Sequence, residues 1–300
     1  MLKIAYSPIY KYQLPNGHRF PMSKYELLPE QLLYEGTVTE DQFFSPAQLP
    51  EEVLLWTHTS EYWDKLQHQR LTAKEERAIG FPMRPELVHR GRFIAQGTIE
   101  CARYAREYGV ALNIAGGTHH AYADHGEGFC VFNDFAIASN FLLRNKEAER
   151  ILIVDLDVHQ GNGTARIFQD EPRVFTFSMH GERNYPLRKE QSDLDIGLPD
   201  KTEGDVYLKT LEATLPRLIK EHQPDLIFYL SGVDVLESDR LGRLSLSVQA
   251  CKERDRFVFS TCKAAGIPVA VSMGGGYSRK IASIIEGHAN TYRVASEIFE

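Results

Sequence analysis

Six short apolar runs recur along this chain, at Leu2–Tyr6, Val110–Ala115, Ile151–Asp155, Val174–Phe177, Leu226–Leu230 and Val269–Ser272. They are apolar on both faces rather than alternating, as strands inside a parallel sheet are. Stretches with helical spacing separate them. Gly97–Tyr108 sets Ile99, Ala102 and Tyr104 or Ala105 on one side, and Asp205–Glu221 repeats Leu208, Leu211, Leu215, Leu218 and Ile219. Gln249–Ala265 and Arg279–Phe299 behave similarly. Strand alternating with helix implies right-handed crossovers and a sheet covered on both faces. The expected fold class is α/β, a single-domain three-layer α/β/α arrangement over residues 1–300 with a mostly parallel sheet. Residues 1–95, less regular and rich in aromatics and Pro, are expected to wrap the same core as helices and loops.

With 300 residues, 43% of them hydrophobic, the chain can bury one large core or at most two small ones. Its 34 Lys and Arg against 41 Asp and Glu give a net charge of -7, which offers no counterion-releasing surface for direct nucleic-acid binding. That balance tolerates cationic and most neutral substrates. Cys101, Cys130, Cys251 and Cys262 form no CxxC pair and read as reduced thiols of a cytosolic protein. The first residues lack a signal-peptide pattern, and no apolar run approaches the roughly 20 residues that span a bilayer. A cytoplasmic protein with no membrane segment is expected.

Polar residues of catalytic type cluster just after the apolar runs, where open parallel sheets carry their sites. His119 and His120 follow one run; Asp155, Asp157, His159 and Asn162 another; Ser178 and His180 a third; Asp234 a fourth; Gly274–Gly276 and Tyr277 a fifth. In an extended segment Asp155, Asp157 and His159 share a face. Burying such charges unpaired is prohibitive, whereas a divalent cation turns them into ligands. Asp157 and His159 are therefore expected to hold a catalytic metal, with Asp234 as third ligand and positions left open for water and substrate. The His119-His120 pair reads as acid–base machinery, with Asp155 and Asn162 as candidate orienting partners. The glycine run before Tyr277 lets backbone approach a ligand and presents a phenol that can donate to an oxyanion. Phe129 is a candidate wall of a narrow channel.

The segments GGTHHA, GEGFCVFND, DLDVHQGNGT, FSMH, SGVDVLESDRLGRLSLS and MGGGYS, spanning roughly Ala111–Ser278, resemble the histone deacetylase superfamily in order and spacing. The similarity extends more loosely to HRFPMSKY. The Gln160-Gly161-Asn162 version and the SDRLGRLSLS stretch look most like the class IV branch and its bacterial relatives. The resemblance implies the arginase/deacetylase fold, a parallel sheet of about eight strands between helices. It implies Asp157, His159 and Asp234 as metal ligands, His120 as general base and His119 as electrostatic support or acid. Asp155 would orient His119, Asn162 would orient His120, and Tyr277 would polarise the substrate carbonyl. Gly128 and Phe129 would line an acyl-lysine channel. Asp155, Asp157, His159, Ser178 and Met179 match a structural site for K+ or Na+. Phe168 and Val174 match part of a second such site, from which Glu171 departs. Asn162 stands where class I members have an aspartate, which should leave its histidine less cationic. Met273 stands where a glycine is common.

The implied cofactor is Zn2+ or Fe2+, since two carboxylates and an imidazole accept either. The implied partner is an acylated lysine protein or peptide, or an acylated small amine such as an acetylpolyamine. A two-metal ureohydrolase would need further carboxylates where Gly161 and Leu236 stand. A catalytically silent acyl-lysine reader would have no need of both histidines and Tyr277.

Overall fold

The computed structural model describes residues 1–300. Eight strands form one sheet: β1 (Lys3–Ala5), β2 (Phe43–Phe44), β3 (Val110–Asn113), β4 (Ile151–Asp155), β5 (Val174–Gly181), β6 (Leu194–Leu198), β7 (Leu226–Leu230) and β8 (Val269–Ser272). Their order is β2-β1-β3-β8-β7-β4-β5-β6, and every pairing is parallel. The two-sided apolar runs lie inside. β3, β4, β7 and β8 are buried at every residue, because helices cover both faces.

The two strands that the apolar pattern does not announce are both edges. β2 has only two residues. β6, Leu194-Asp195-Ile196-Gly197-Leu198, alternates between half-buried and exposed positions, since one face meets solvent.

Ten helices complete the molecule: α1 (Lys24–Tyr34), α2 (Glu51–Leu54), α3 (Ser60–Gln67), α4 (Ala73–Ile79), α5 (Pro85–Tyr108), α6 (Asp134–Arg144), α7 (Asn162–Phe168), α8 (Gly204–His222), α9 (Val248–Ala265) and α10 (Ile281–Phe299). α5 and α6 pack together on one side of the sheet, with α5 lying along β1, β3 and β8. α8, α9 and α10 pack in series, with α1 against α10. α5 starts twelve residues before the expected Gly97, with Pro85 in its first turn, where its missing N–H is no loss. Gly97, which interrupts the helical pattern, sits where a Cβ would fall 2.6 Å from the Tyr10 hydroxyl and 3.0 Å from Asn113 Nδ2. Close packing onto the N-terminal segment, not helix propensity, sets that residue.

The first 95 residues pack on this core through α1 to α4, and Leu28, Leu32, Leu54, Tyr62 and Leu66 join the same hydrophobic cluster as the central strands. No helix is long and apolar enough to cross a membrane. All four cysteines are free and buried.

Candidate metal and acid–base site

The carboxyl ends of β3, β4, β7 and β8 converge on one cleft. Asp157 and His159, directly after β4, and Asp234, after β7, bring three potential ligand atoms within 4.8 Å of one another, all from buried residues. His159 Nδ1 lies 2.9 Å from Asp157 Oδ1 and 3.2 Å from Asp234 Oδ2. Backbone fixes the carboxylates: Val158 N–H donates to Asp234 Oδ1 (2.9 Å) and Gly275 N–H to Asp157 Oδ2 (2.8 Å). Asp234 Oδ2, fully buried, receives no hydrogen-bond donor. A buried carboxylate oxygen without a donor is costly unless a cation meets it.

The electrostatics agree. Burial and the Asp157 charge push Asp234 up to about 7. At His159 burial opposes the charged form, but Asp157 and Asp234 outweigh it and push the imidazole up to about 10. Left to protons, the cluster collects them, as a set of anionic groups arranged for a cation should. Two carboxylates and one imidazole fit a catalytic divalent ion.

Beside this cluster, the two histidines carry different partners. His119 Nδ1 is 2.6 Å from Asp155 Oδ2, and His120 Nδ1 is 2.6 Å from Asn162 Oδ1. Burial disfavours charge on His119, but the Asp155 carboxylate overrides it and raises its pKa. Burial raises Asp155 as well, so the pair holds a proton between them. His120 is driven well below its ordinary value by burial and by His119 and His159, with only an amide opposite. The rings stand 4.1 Å apart with divergent proton affinities, the arrangement that separates an acid from a base.

Tyr277 reaches the cleft from beyond β8. Its backbone N–H donates to Asp239 Oδ2 at 2.6 Å. Burial and the Asp234 and Asp157 charges raise the phenol well above its usual range, so it stays a donor. Gly275, between β8 and Tyr277, sits so close to both carboxylates of the cluster that a Cβ there would collide with Asp234 Oδ2 and lie 2.7 Å from Asp157 Oδ2. Gly128 and Phe129 line the cavity with Phe20, Tyr277 and both histidines. Phe129 adopts φ 68°, rare outside glycine, and is held there by its N–H bond to the Ile79 carbonyl (2.7 Å). Ser178 pairs in register with Asp155 on the neighbouring strand, and Met179 follows it. Phe168 ends α7 and Val174 opens β5, while Glu171 between them is ion-paired with Arg173.

Sequence reasoning missed several supporting groups, because their partners are distant along the chain. Asp134 Oδ1 accepts from the Thr118 N–H and hydroxyl, and Oδ2 from Thr98 and Ser272, tying the histidine loop to α5 and β8. Asn162 Nδ2 donates to Glu127 Oε1 (2.6 Å), so a carboxylate stands one amide behind His120. Arg254, wholly buried, donates to the carbonyls of Gly232 (2.6 Å) and Leu156 (3.3 Å), bracing both ligand-bearing loops from below. The one available signal was charge type: Asp134 and Arg254 interrupt otherwise apolar helix faces.

Residues 18–292 match the histone deacetylase domain model. An uncharacterized protein of Picosynechococcus sp. is 46% identical over 297 residues, covering 99% of each chain. Histone deacetylase 2 of Arabidopsis thaliana is 30% identical over 277 residues, covering 89% of this chain and 72% of its own. Among solved structures, an HDAC homolog complexed with SAHA superposes with a TM-score of 0.84 at 24% identity, covering 99% of this chain and 84% of that one, a likeness of fold.

Proposed function

Because the chain belongs to the histone deacetylase family, we propose that it is a metal-dependent amidohydrolase removing acetyl or other acyl groups from lysine side chains or related amines. Family membership supports deacetylase activity in general. The observation that carries the reading here is the split histidine pair, His119 on Asp155 and His120 on Asn162, beside a three-ligand cluster and a protonated tyrosine.

A divalent ion, Zn2+ or Fe2+, held by Asp157, His159 and Asp234 would polarise the amide carbonyl and make water a stronger acid. His120, with Nδ1 fixed by Asn162, takes a proton from the attacking water at Nε2. The Tyr277 hydroxyl donates to the carbonyl oxygen as it becomes an oxyanion. His119, kept protonated by Asp155, supports the developing negative charge and supplies the proton for the departing amine. Gly128 and Phe129 form part of the sleeve for the alkyl chain and exclude water from it. Ser178 and Met179, with Asp155, Asp157 and His159, would carry a structural K+ or Na+. Acyl-lysine peptides and acylated small amines both satisfy this chemistry.

The test is turnover on a panel of acyl-lysine peptides and acylpolyamines, with metal content measured in parallel. Tyr277→Phe should lower kcat by about 100- to 1,000-fold while metal content is retained. Full activity of Tyr277→Phe on every substrate would refute the oxyanion role. Bound metal with no turnover on any acyl amine would refute the hydrolase reading.

A further inference from the structure

The outer part of the cleft has a charge pattern that the chemistry above does not use. A cavity of ≈ 380 Å³ opens outward from His120 and His159 and is lined by Arg19, Arg77, Phe129, Tyr185 and Leu241, among others. Both charged side chains at its rim are arginines, and no carboxylate lines it. Arg19 lies with its guanidinium carbon 4.9 Å from the centre of the Phe129 ring. Arg77 is in the last turn of α4, whose next two carbonyls, Ala78 and Ile79, accept the N–H groups of Gly128 and Phe129 at 2.9 and 2.7 Å. One guanidinium is thus stacked on the channel wall, and the other projects from a helix end whose backbone is bonded to that wall. Arg19 and Arg77, both exposed, take part in no ion pair, and although other arginines such as Arg84 and Arg166 share that, these two lie on the cavity lining. In a chain of net charge -7, two unpaired guanidiniums on a cavity that reaches His120 and His159 form a local field opposite to the whole.

Resting on the reading that this cleft hydrolyses acyl amines, we propose that Arg19 and Arg77 are specificity-determining residues that select acylated amines carrying a carboxylate near the channel mouth. Guanidinium pairs carboxylate through a two-donor fork, and the stacked position of Arg19 restricts its rotamers. The same rim repels a substrate whose remaining charges are ammonium groups. A polyamine is therefore the disfavoured class, and an acyl-lysine flanked by Asp or Glu, or an acyl amino acid with a free carboxylate, the favoured one.

The experiment compares kcat/KM on peptides identical except for the residues flanking the acetyl-lysine: Glu, Gln or Lys. Free Nε-acetyl-lysine and its carboxamide separate a small-molecule carboxylate from a peptide side chain, and N-acetylspermidine supplies the polycation. Acidic peptides should exceed basic ones by roughly 10-fold at low salt, and the ratio should shrink at high salt. Arg19→Gln with Arg77→Gln should bring the ratio to about 1, and Arg19→Glu with Arg77→Glu should invert it. Equal kcat/KM across the charge series, or a ratio that survives the double substitution, overturns the proposal. Binding of the same peptides to the metal-loaded Tyr277→Phe protein, read by fluorescence anisotropy, gives the charge ratio without turnover. A charge-ordered affinity with no hydrolysis anywhere supports the rim and sinks the hydrolase reading. Hydrolysis without charge order does the reverse.

Discussion

Replacing Gly275 by alanine should empty the metal site without unfolding the protein. Gly275 is not in the left-handed region, and the conflict an alanine meets there is one of space. The added methyl would collide with Asp234 Oδ2 and sit 2.7 Å from Asp157 Oδ2, against the roughly 3.5 Å of an ordinary non-bonded contact. Two of three ligands must move away, and Gly275 N–H, which donates to Asp157 Oδ2 at 2.8 Å, must move with its backbone. Loss of a supporting contact behind a metal ligand typically weakens affinity 10- to 100-fold, and here two ligands are displaced directly. A fall in metal affinity of about 100-fold or more, about 2.7 kcal/mol, is expected. Competition titration against a chelator of known affinity reads it, and metal content after dialysis gives a second readout. The apo protein should melt within a few degrees of wild-type apo protein, while the stabilisation conferred by added metal should shrink in step with affinity. Wild-type metal affinity in Gly275→Ala would refute the assignment of Asp157 and Asp234 as ligands, because no such pair could stay in place beside that methyl.

Two further outcomes follow from buried groups outside the three-residue cluster. Arg254→Met should cost about 3–5 kcal/mol, because it leaves the buried Asp255 carboxylate without its cation and held only by the Tyr229 and Thr291 hydroxyls; urea melts decide, and a variant as stable as wild type would contradict the bracing role. His58 is buried, accepts the Asn133 N–H at 3.1 Å and is pushed down to about 4 by burial, so it is neutral in the fold. Its folded pKa lies below the unfolded value of 6.5, so its contribution is complete above that pH and is lost as pH falls towards 4, by about 3 kcal/mol. His58→Gln should flatten the pH dependence of stability across that window, and parallel wild-type and variant curves would refute it.

The centre of the fold was legible because a fully covered sheet forces its strands to be apolar on both faces, and β4, β7 and β8 begin and end as the apolar runs do. The edges were not, since β6 alternates and β2 is too short to carry a pattern. The candidate site was legible where chemistry lies next to a strand end, which places Asp157, His159, His120 and Tyr277 within a few residues of β4, β3 and β8. It was illegible where support comes from afar. Asp134 reaches Ser272, Glu127 reaches Asn162 and Arg254 reaches Leu156, contacts that no local spacing announces.

The tie between α4 and the Gly128-Phe129 wall divides the molecule unequally. The candidate ligands and histidines all come from chain after β3, whereas the entrance also draws Arg19, Arg77 and Ala78 from the stretch between Tyr12 and Pro82, which a 2.7 Å bond from the Tyr12 hydroxyl to the Pro82 carbonyl ties together. Exchanging only two exposed residues of that stretch at the cavity, Arg19 and Arg77, would re-cut the doorway while the reacting groups keep their places on the sheet's carboxyl edge.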